Sequence, residues 1–265
     1  MNAKKLFDLS DNVILITGAA GNLGSQYAEG LSQVGANVVL CDLDFEKCKE
    51  ISDHLKEKYD VNPTPLKLDL TQKKSISNSV KKIMKKYSKI DTLINNAAYQ
   101  GTEKTRTTSF ENLSLIEWNK AISVNLTGIF LMCQEVGKIM KKQHSGNIIN
   151  ISSTYGIVAP DQRIYGNSGQ NAASFYSATK SSVINLTRYL ASYWANIGIR
   201  VNTLSPGGVK NNQTKSFINN YSKKTMLGRM ALKDEYVGAI IFLASNASSY
   251  MTGSNLIIDG GWTAW

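Results

Sequence analysis

Tyr176 and Lys180 stand four residues apart in Tyr176-Ser177-Ala178-Thr179-Lys180, the only Tyr/Lys pair at that spacing in the chain. On a helix this spacing places both side chains on one face. An ammonium held there favours phenolate and lowers a tyrosine pKa that starts at about 10. Ser153, in Ser152-Ser153-Thr154-Tyr155-Gly156, brings a hydroxyl to the carboxyl end of an apolar run, where ligands of parallel sheets bind. A different chemistry is written into Thr17-Gly18-Ala19-Ala20-Gly21-Asn22-Leu23-Gly24, which ends one apolar run and opens a helical segment. Small residues let the backbone approach a pyrophosphate, and a helix N-terminus favours its charge. The glycines miss the G-x-G-x-x-G spacing, so Asn22 is expected to take the left-handed conformation that a glycine would supply. An ordinary tight turn is the competing reading. Asp42 ends the second apolar run, where its carboxylate would accept hydrogen bonds from an adenosine ribose and repel a 2′-phosphate. Neither Leu43 nor the turn offers a base for that phosphate, which points to NAD over NADP. Capping of the following helix is the plainer role open to Asp42 and Asp44.

The elements that must position these groups follow from the hydrophobic pattern. Strands are predicted at 12–17, 37–42, 65–69, 90–95, 146–152, 199–204 and 255–259. Several are unbroken Val/Ile/Leu runs, which suits strands covered on both faces. Amphipathic helices are predicted at 22–34, 44–59, 72–87, 115–142 and 176–196. This rhythm implies βαβ units, right-handed crossovers and one doubly wound α/β domain spanning 1–265 with a seven-stranded parallel sheet.

Composition narrows the function classes. The 265 residues are 42% hydrophobic with only four prolines, enough for a large core and too ordered for a linker-rich chain. The net charge of +10 raises the question of a nucleic-acid partner. Only five of the 30 basic residues are arginines, and Lys81, Lys82, Lys85, Lys86 and Lys89 oppose Ile83, Met84 and Tyr87 on one helix. A solvated lysine face explains that pattern, and no nucleic-acid motif accompanies it. Cys41, Cys48 and Cys133 have neither disulfide-framework nor metal spacing, so no metal is expected. No apolar run approaches a membrane span and no signal-peptide pattern opens the chain. A reduced, cytoplasmic protein without a membrane or nucleic-acid partner is expected.

Taken together, the glycine turn, Asp69-Leu70, Asn95-Asn96-Ala97-Ala98, Asn125, Ser153, Tyr176/Lys180, Ser205-Pro206-Gly207-Gly208 and Asp259-Gly260-Gly261 resemble the short-chain dehydrogenase/reductase family along nearly the whole chain. The resemblance implies a single Rossmann domain. It also implies that Tyr176 exchanges a proton with the substrate oxygen and that Lys180 lowers its pKa and bonds the nicotinamide ribose. Ser153 would polarise the substrate carbonyl, chosen over Ser152 by the family's spacing to Gly156. Asn125 would order a water leading from Lys180 to solvent. Gly18, Asn22, Leu23 and Asp42 would bind the adenosine and pyrophosphate, and Asp69 and Leu70 would flank the adenine. Asn96, Ala97 and Ala98 would line the ribose, while Pro206, Gly207 and Val209 would contact the nicotinamide.

Departures from the family pattern sharpen the expectation. Asn22 replaces a common Gly and makes the turn resemble that of the longer, sugar-nucleotide-modifying branch, but the chain closes soon after its last strand, as the shorter branch does. Ala98 replaces another Gly, and Asn211 stands where a Thr often meets the carboxamide. Ser153 and Tyr176 are 23 residues apart, about ten more than usual, and the added segment 159–171 is polar. That segment suits a hydrogen-bonding substrate better than an acyl chain or steroid. Arg163 within it either pairs with a substrate anion or lies exposed. The long loop and Leu227-Gly228-Arg229-Met230 also resemble oxidoreductases of flagellin-glycosylation and nonulosonic-acid sugar pathways. The expected activity is NAD-dependent interconversion of a secondary alcohol and a ketone on a polar, carbohydrate-like small molecule. The alternatives are an epimerase or dehydratase that recycles NAD, and a non-catalytic dinucleotide binder. Helix 176–196 is apolar on more than one face, through Val183, Ile184, Leu186, Tyr189, Leu190, Tyr193 and Trp194. It needs a second cover: a homo-oligomer, with a tetramer favoured, or the helix over 233–245 of the same subunit.

Overall fold

The apolar runs become the strands of one sheet because each alternates its side chains between two buried faces. In the computed structural model, which describes residues 2–59 and 61–265, these are β1 (Val13–Thr17), β2 (Asn37–Asp42), β3 (Thr64–Lys67), β4 (Thr92–Asn95), β5 (Gly146–Ile151), β6 (Ile199–Pro206) and β7 (Asn255–Ile258). All pairs are parallel, in the order β3-β2-β1-β4-β5-β6-β7. Helices fill the crossovers: α1 (Ala3–Leu6), α2 (Asn22–Gln33), α3 (Phe45–Tyr59), α4 (Lys73–Tyr87), α5 (Glu103–Thr107), α6 (Leu115–Ile122), α7 (Gly128–Gln143), α8 (Ser174–Tyr193), α9 (Lys215–Ser222) and α10 (Val237–Ala244).

Val13, Leu15, Val39, Leu93, Ile148 and Val201 face one layer, packed against α4, α7 and α8. Their neighbours Ile14, Ile16, Val38, Leu40, Ile94, Ile149 and Leu204 face the other, packed against α2, α3 and α10. Burial on both faces is why these runs read as continuous rather than alternating. On α4, Ile76, Val80 and Ile83 are buried while Lys81, Lys82, Lys85 and Lys86 are exposed, a solvated outer face. Among the described residues, no helix is long and apolar enough to cross a membrane.

Two expectations change. The helix predicted over 115–142 is two helices, because a π-helical turn at Ser123–Thr127 separates α6 from α7. Asn125 sits inside that turn, fully buried, and periodicity in the sequence cannot register one extra residue in a turn. The helix predicted over 233–245 is no cover for α8. It forms α10, packed with α2 on the opposite side of the sheet, and leaves Tyr189 and Tyr193 of α8 exposed, their rings stacked at 6.0 Å.

Candidate active site

The strand order reverses between β1 and β4, and there the crossovers leave to opposite faces and open a crevice at the carboxyl edge. The turn after β1 lies in it. Gly18 has φ of +67°, and a Cβ on it would stand 2.6 Å from the Ala97 Cα, so only glycine fits. Thr17 Oγ1 accepts the N–H groups of Asn96 (3.1 Å) and Ala97 (3.2 Å), tying the exits of β1 and β4 together. The Asn96 amide donates to the Thr17 and Gly18 carbonyls at 3.1 and 3.0 Å. Its side chain therefore braces the turn, while Ala97 and Ala98 line the crevice. Asp42 accepts from the Ala20 N–H at 3.0 Å and the Asp44 N–H at 3.1 Å, which places its carboxylate against the turn. No side chain caps α2, whose N-cap is Gly21, so nothing competes for its first N–H groups. Asn22 does not take the left-handed conformation expected of it. It is the first residue of α2, in right-handed geometry, because Gly21 already supplies the cap.

Further along this wall, Asp69 holds the Thr71 N–H and hydroxyl at 2.9 and 2.7 Å, and Leu70 is buried against the start of α7. On the other side, Gly207 donates to the Ile258 carbonyl at 2.8 Å and Val209 pairs with Ala231, which holds the Pro206–Val209 segment at the rim. Asn211 is exposed there, its N–H given to Gln213 Oε1 at 2.6 Å.

At the deep end, β5 delivers Ser152 and Ser153 to different tasks. Ser152 is buried and its hydroxyl donates to the Lys180 carbonyl at 2.8 Å, a bond between β5 and α8. Gly156 permits that approach, since a Cβ there would meet Ser152 Oγ and stand 2.8 Å from the Lys180 carbonyl oxygen. Ser153 instead caps the turn at Thr154–Gly156, accepting the Tyr155 N–H at 3.2 Å, and its hydroxyl acts on the phenol of Tyr176. Burial pushes the Tyr176 phenol above its ordinary value, with Ser153 pulling the other way. The predicted shared face of Tyr176 and Lys180 is present, with the ammonium 5.6 Å from the ring centroid. The predicted depression of the Tyr176 pKa by that ammonium is absent. Lys180 Nζ donates to the Ile151 carbonyl at 2.6 Å, and its own burial lowers it to about 8.

Asn125 alone among the expected site residues lies behind the crevice wall rather than on it. It accepts the Tyr99 N–H at 2.6 Å, donates to the Tyr99 carbonyl at 2.9 Å, and reaches Thr179 Oγ1 of α8 at 3.3 Å. In this geometry the Asn125 side chain ties the segment after β4 to the helix that carries Tyr176 and Lys180.

The crevice measures about 1010 Å³ and runs from Asp42 to Ser153 and Tyr176. A family model described as enoyl-(acyl carrier protein) reductase matches residues 18–263. The chain belongs to the short-chain dehydrogenase/reductase family. It is similar to the post-translational flagellin modification protein A of Campylobacter coli, 31% identical over 254 residues, covering 96% of this chain and 99% of that one. It is 34% identical over 267 residues to an NAD-dependent glycerol dehydrogenase of Listeria innocua, covering 98% and 96%. A gluconate 5-dehydrogenase of Burkholderia cenocepacia, solved with NADP and tartrate, superposes with a TM-score of 0.89 at 29% identity over the full length of both chains.

Members of the short-chain dehydrogenase/reductase family bind a nicotinamide dinucleotide, and the residues present fit one. The cradle at Gly18, which any side chain would fill, and the uncapped start of α2 suit a pyrophosphate. What the sequence did not reveal is the aromatic packing behind the substrate end. Tyr221 stacks on Trp262 at 4.4 Å, and its hydroxyl accepts the Gly208 N–H at 2.5 Å. Tyr165 and Phe217 pack at 5.4 Å, joining the added segment to α9. These contacts join residues 41 and 52 positions apart, and no local pattern announces them. Arg163 is 82% exposed and bonded to Asp161 through Nε and Nη2, both at 2.8 Å, so the exposed reading holds.

Proposed function

We propose that this short-chain dehydrogenase/reductase is an NAD(H)-dependent enzyme that interconverts a secondary alcohol and a ketone on a polar, carbohydrate-like substrate. The convergence of Ser153, Tyr176 and Lys180 at one end of a crevice whose other end carries the glycine turn and Asp42 is the observation that carries the reading. When bound, the dinucleotide supplies the hydride donor or acceptor. Gly18, Asn22, Leu23 and Asp42 would hold its adenosine and pyrophosphate half, with Asp69, Leu70, Ala97 and Ala98 walling the adenine and ribose. Pro206, Gly207 and Val209 would flank the nicotinamide. Ser153 donates a hydrogen bond to the substrate oxygen and fixes its position. Tyr176 gives or takes the proton on that oxygen, and burial keeps the phenol protonated and able to donate near neutral pH. Lys180, still cationic below about pH 8 and anchored on the Ile151 carbonyl, would bond the nicotinamide ribose.

Asp42 supports NAD in particular, because it would bond the ribose hydroxyls and repel a 2′-phosphate. The glycerol dehydrogenase relative is described as NAD-dependent, whereas the gluconate 5-dehydrogenase holds NADP, so the choice rests on this residue. The polyol and sugar-acid activities of these relatives, with the polar segment 159–171, support a carbohydrate-like substrate. Exposed Tyr189 and Tyr193 on α8 support a homo-oligomer, with a tetramer favoured. Light scattering at micromolar concentration is expected to give a multiple of the chain mass; a monomer overturns that part. The activity is tested with a panel of sugars and polyols, following net change in reduced cofactor. Turnover is expected with NAD(H), at about tenfold tighter binding of NADH than NADPH. Tyr176→Phe is expected to abolish turnover and keep NADH affinity. Normal turnover in that variant would sink the assignment.

A further inference from the structure

The crevice is electrostatically lopsided. Its carboxylates, Asp42 and Asp69, sit at the end assigned to adenosine. Among the described residues lining the substrate end there is no Asp or Glu, while Arg106 and Lys120 are both present. Lys120 is already engaged, its Nζ 4.4 Å from the centre of the Tyr99 ring. Arg106 is not. Of the five arginines, Arg163 pairs with Asp161, Arg229 with Glu235, and Arg200 donates to three backbone carbonyls. Arg188 lies exposed on α8, away from the crevice. Arg106 alone reaches the crevice, and no carboxylate or carbonyl among the described residues takes its guanidinium.

The backbone that carries Arg106 is nonetheless firmly held. α5 is closed by a reciprocal cap between Thr102 and Thr105, and Thr105 Oγ1 donates to Glu117 at 3.3 Å. From the added segment, the Asn171 N–H donates to the Arg106 carbonyl at 2.7 Å and its amide to the Thr108 carbonyl at 2.8 Å. The same segment brings Tyr165 close enough for the guanidinium charge to act on its phenol. Of the acidic side chains on the neighbouring elements, Glu117 accepts from Tyr99 and Asp161 is shared by Arg163 and Lys224, and Glu103 on α5 itself makes no ion pair with Arg106. An unpaired cation on a braced backbone, at the end of the crevice that carries no carboxylate, is what an oxyanion requires.

We propose that Arg106, positioned by Asn171 of the 159–171 segment, anchors an oxyanion carried by the substrate, so that the preferred substrate is an acidic sugar derivative rather than a neutral polyol. This rests on the oxidoreductase reading above for the identity of the pocket. The anion is a carboxylate or a phosphate, both of which accept two parallel bonds from a guanidinium.

The experiment separates the inference from the reading it rests on. Calorimetric binding of gluconate, glucose 6-phosphate and glucitol to the protein loaded with NADH reads the anchor without turnover. At least one anion is expected to bind tenfold or more tightly than glucitol, and which one names the source of the charge. Arg106→Ala should erase that advantage, leave glucitol and NADH affinities unchanged, and be partly rescued by Arg106→Lys. Arg163→Ala, whose guanidinium is already paired, should change none of them. In turnover assays on a responding substrate the loss should appear in KM with kcat little altered. Equal binding of anion and polyol, or an anion preference that survives Arg106→Ala, overturns the anchor. Absence of turnover on every sugar, with the anion binding intact, overturns the oxidoreductase reading and not the anchor.

Discussion

The two ends of the crevice are built differently. Around the turn at Gly18, nearly every group that would touch a dinucleotide is held by bonds within one β-α-β unit or its neighbour strand. Thr17, Asn96 and Asp42 each fix a backbone atom of the turn or its neighbours. At the substrate end, α5, the 159–171 segment and α9 are held by contacts between distant parts of the chain, through Asn171 to Thr108 and Asn220 to the Ile164 carbonyl. The first end is a rigid cradle of backbone whose shape tolerates almost no side chain. The second is a set of side chains displayed from loops, which can vary without disturbing the sheet. Between them stands α8, which carries Tyr176 and Lys180 and answers to both.

The largest effect should come from breaking the rigid end. Gly18→Ala puts a Cβ against Ala97 and forces a positive φ on a residue that resists it. NADH affinity is expected to fall by about two orders of magnitude, equivalent to roughly 3 kcal/mol, measured by nicotinamide fluorescence. The Arg106→Ala change at the other end should leave that titration untouched. If Gly18→Ala also keeps its NADH affinity, the cradle is not where the pyrophosphate sits.

A smaller effect isolates the helix shared by both ends. Burial holds Lys180 at about 8, below its unfolded value of 10.5. Between those values the unfolded chain binds a proton that the folded chain does not, so this residue makes stability rise with pH in that window and costs stability below it. Above about pH 10 the sign reverses, because burial raises Tyr27, Tyr155 and Tyr236 and only the unfolded chain then loses their protons. Urea unfolding of the wild type and Lys180→Met between pH 8 and 10 should differ in slope by about 1 kcal/mol per pH unit. Parallel slopes would mean that the ammonium is solvated in the folded protein.

How much could be read beforehand follows the same division. The seven strands were legible to within two residues, because burial on two faces leaves an unbroken apolar run and each exit is marked by Gly, Asp, Asn or Ser. Gly18, Asp42, Ser153, Tyr176 and Lys180 were legible from type and spacing, since each needs only its own strand or helix to be placed. Asn22 was misread as left-handed because a sequence motif names residues and not the cap that begins the helix. The π-turn around Asn125 was invisible because one extra residue in a turn barely alters the apolar spacing, and the bonds Asn125 makes there run to Tyr99, 26 residues away. Arg106 drew no notice beside Arg163, the reverse of their places in the structure.

By itself, then, the order of residues determined the parallel sheet, the turn that can cradle a pyrophosphate, and the helix face that pairs a phenol with an ammonium, all consequences of short-range periodicity and local sterics. Tertiary structure alone decided which carbonyl takes the Ser152 hydroxyl, which way the Lys180 ammonium is spent, and which arginine remains unpaired. Those outcomes depend on partners brought together by folding: the Lys180 carbonyl for Ser152, the Ile151 carbonyl for Lys180, and Asp161 for Arg163. A side chain's chemistry is set by what is left for it to bond, and only the packed chain determines that remainder.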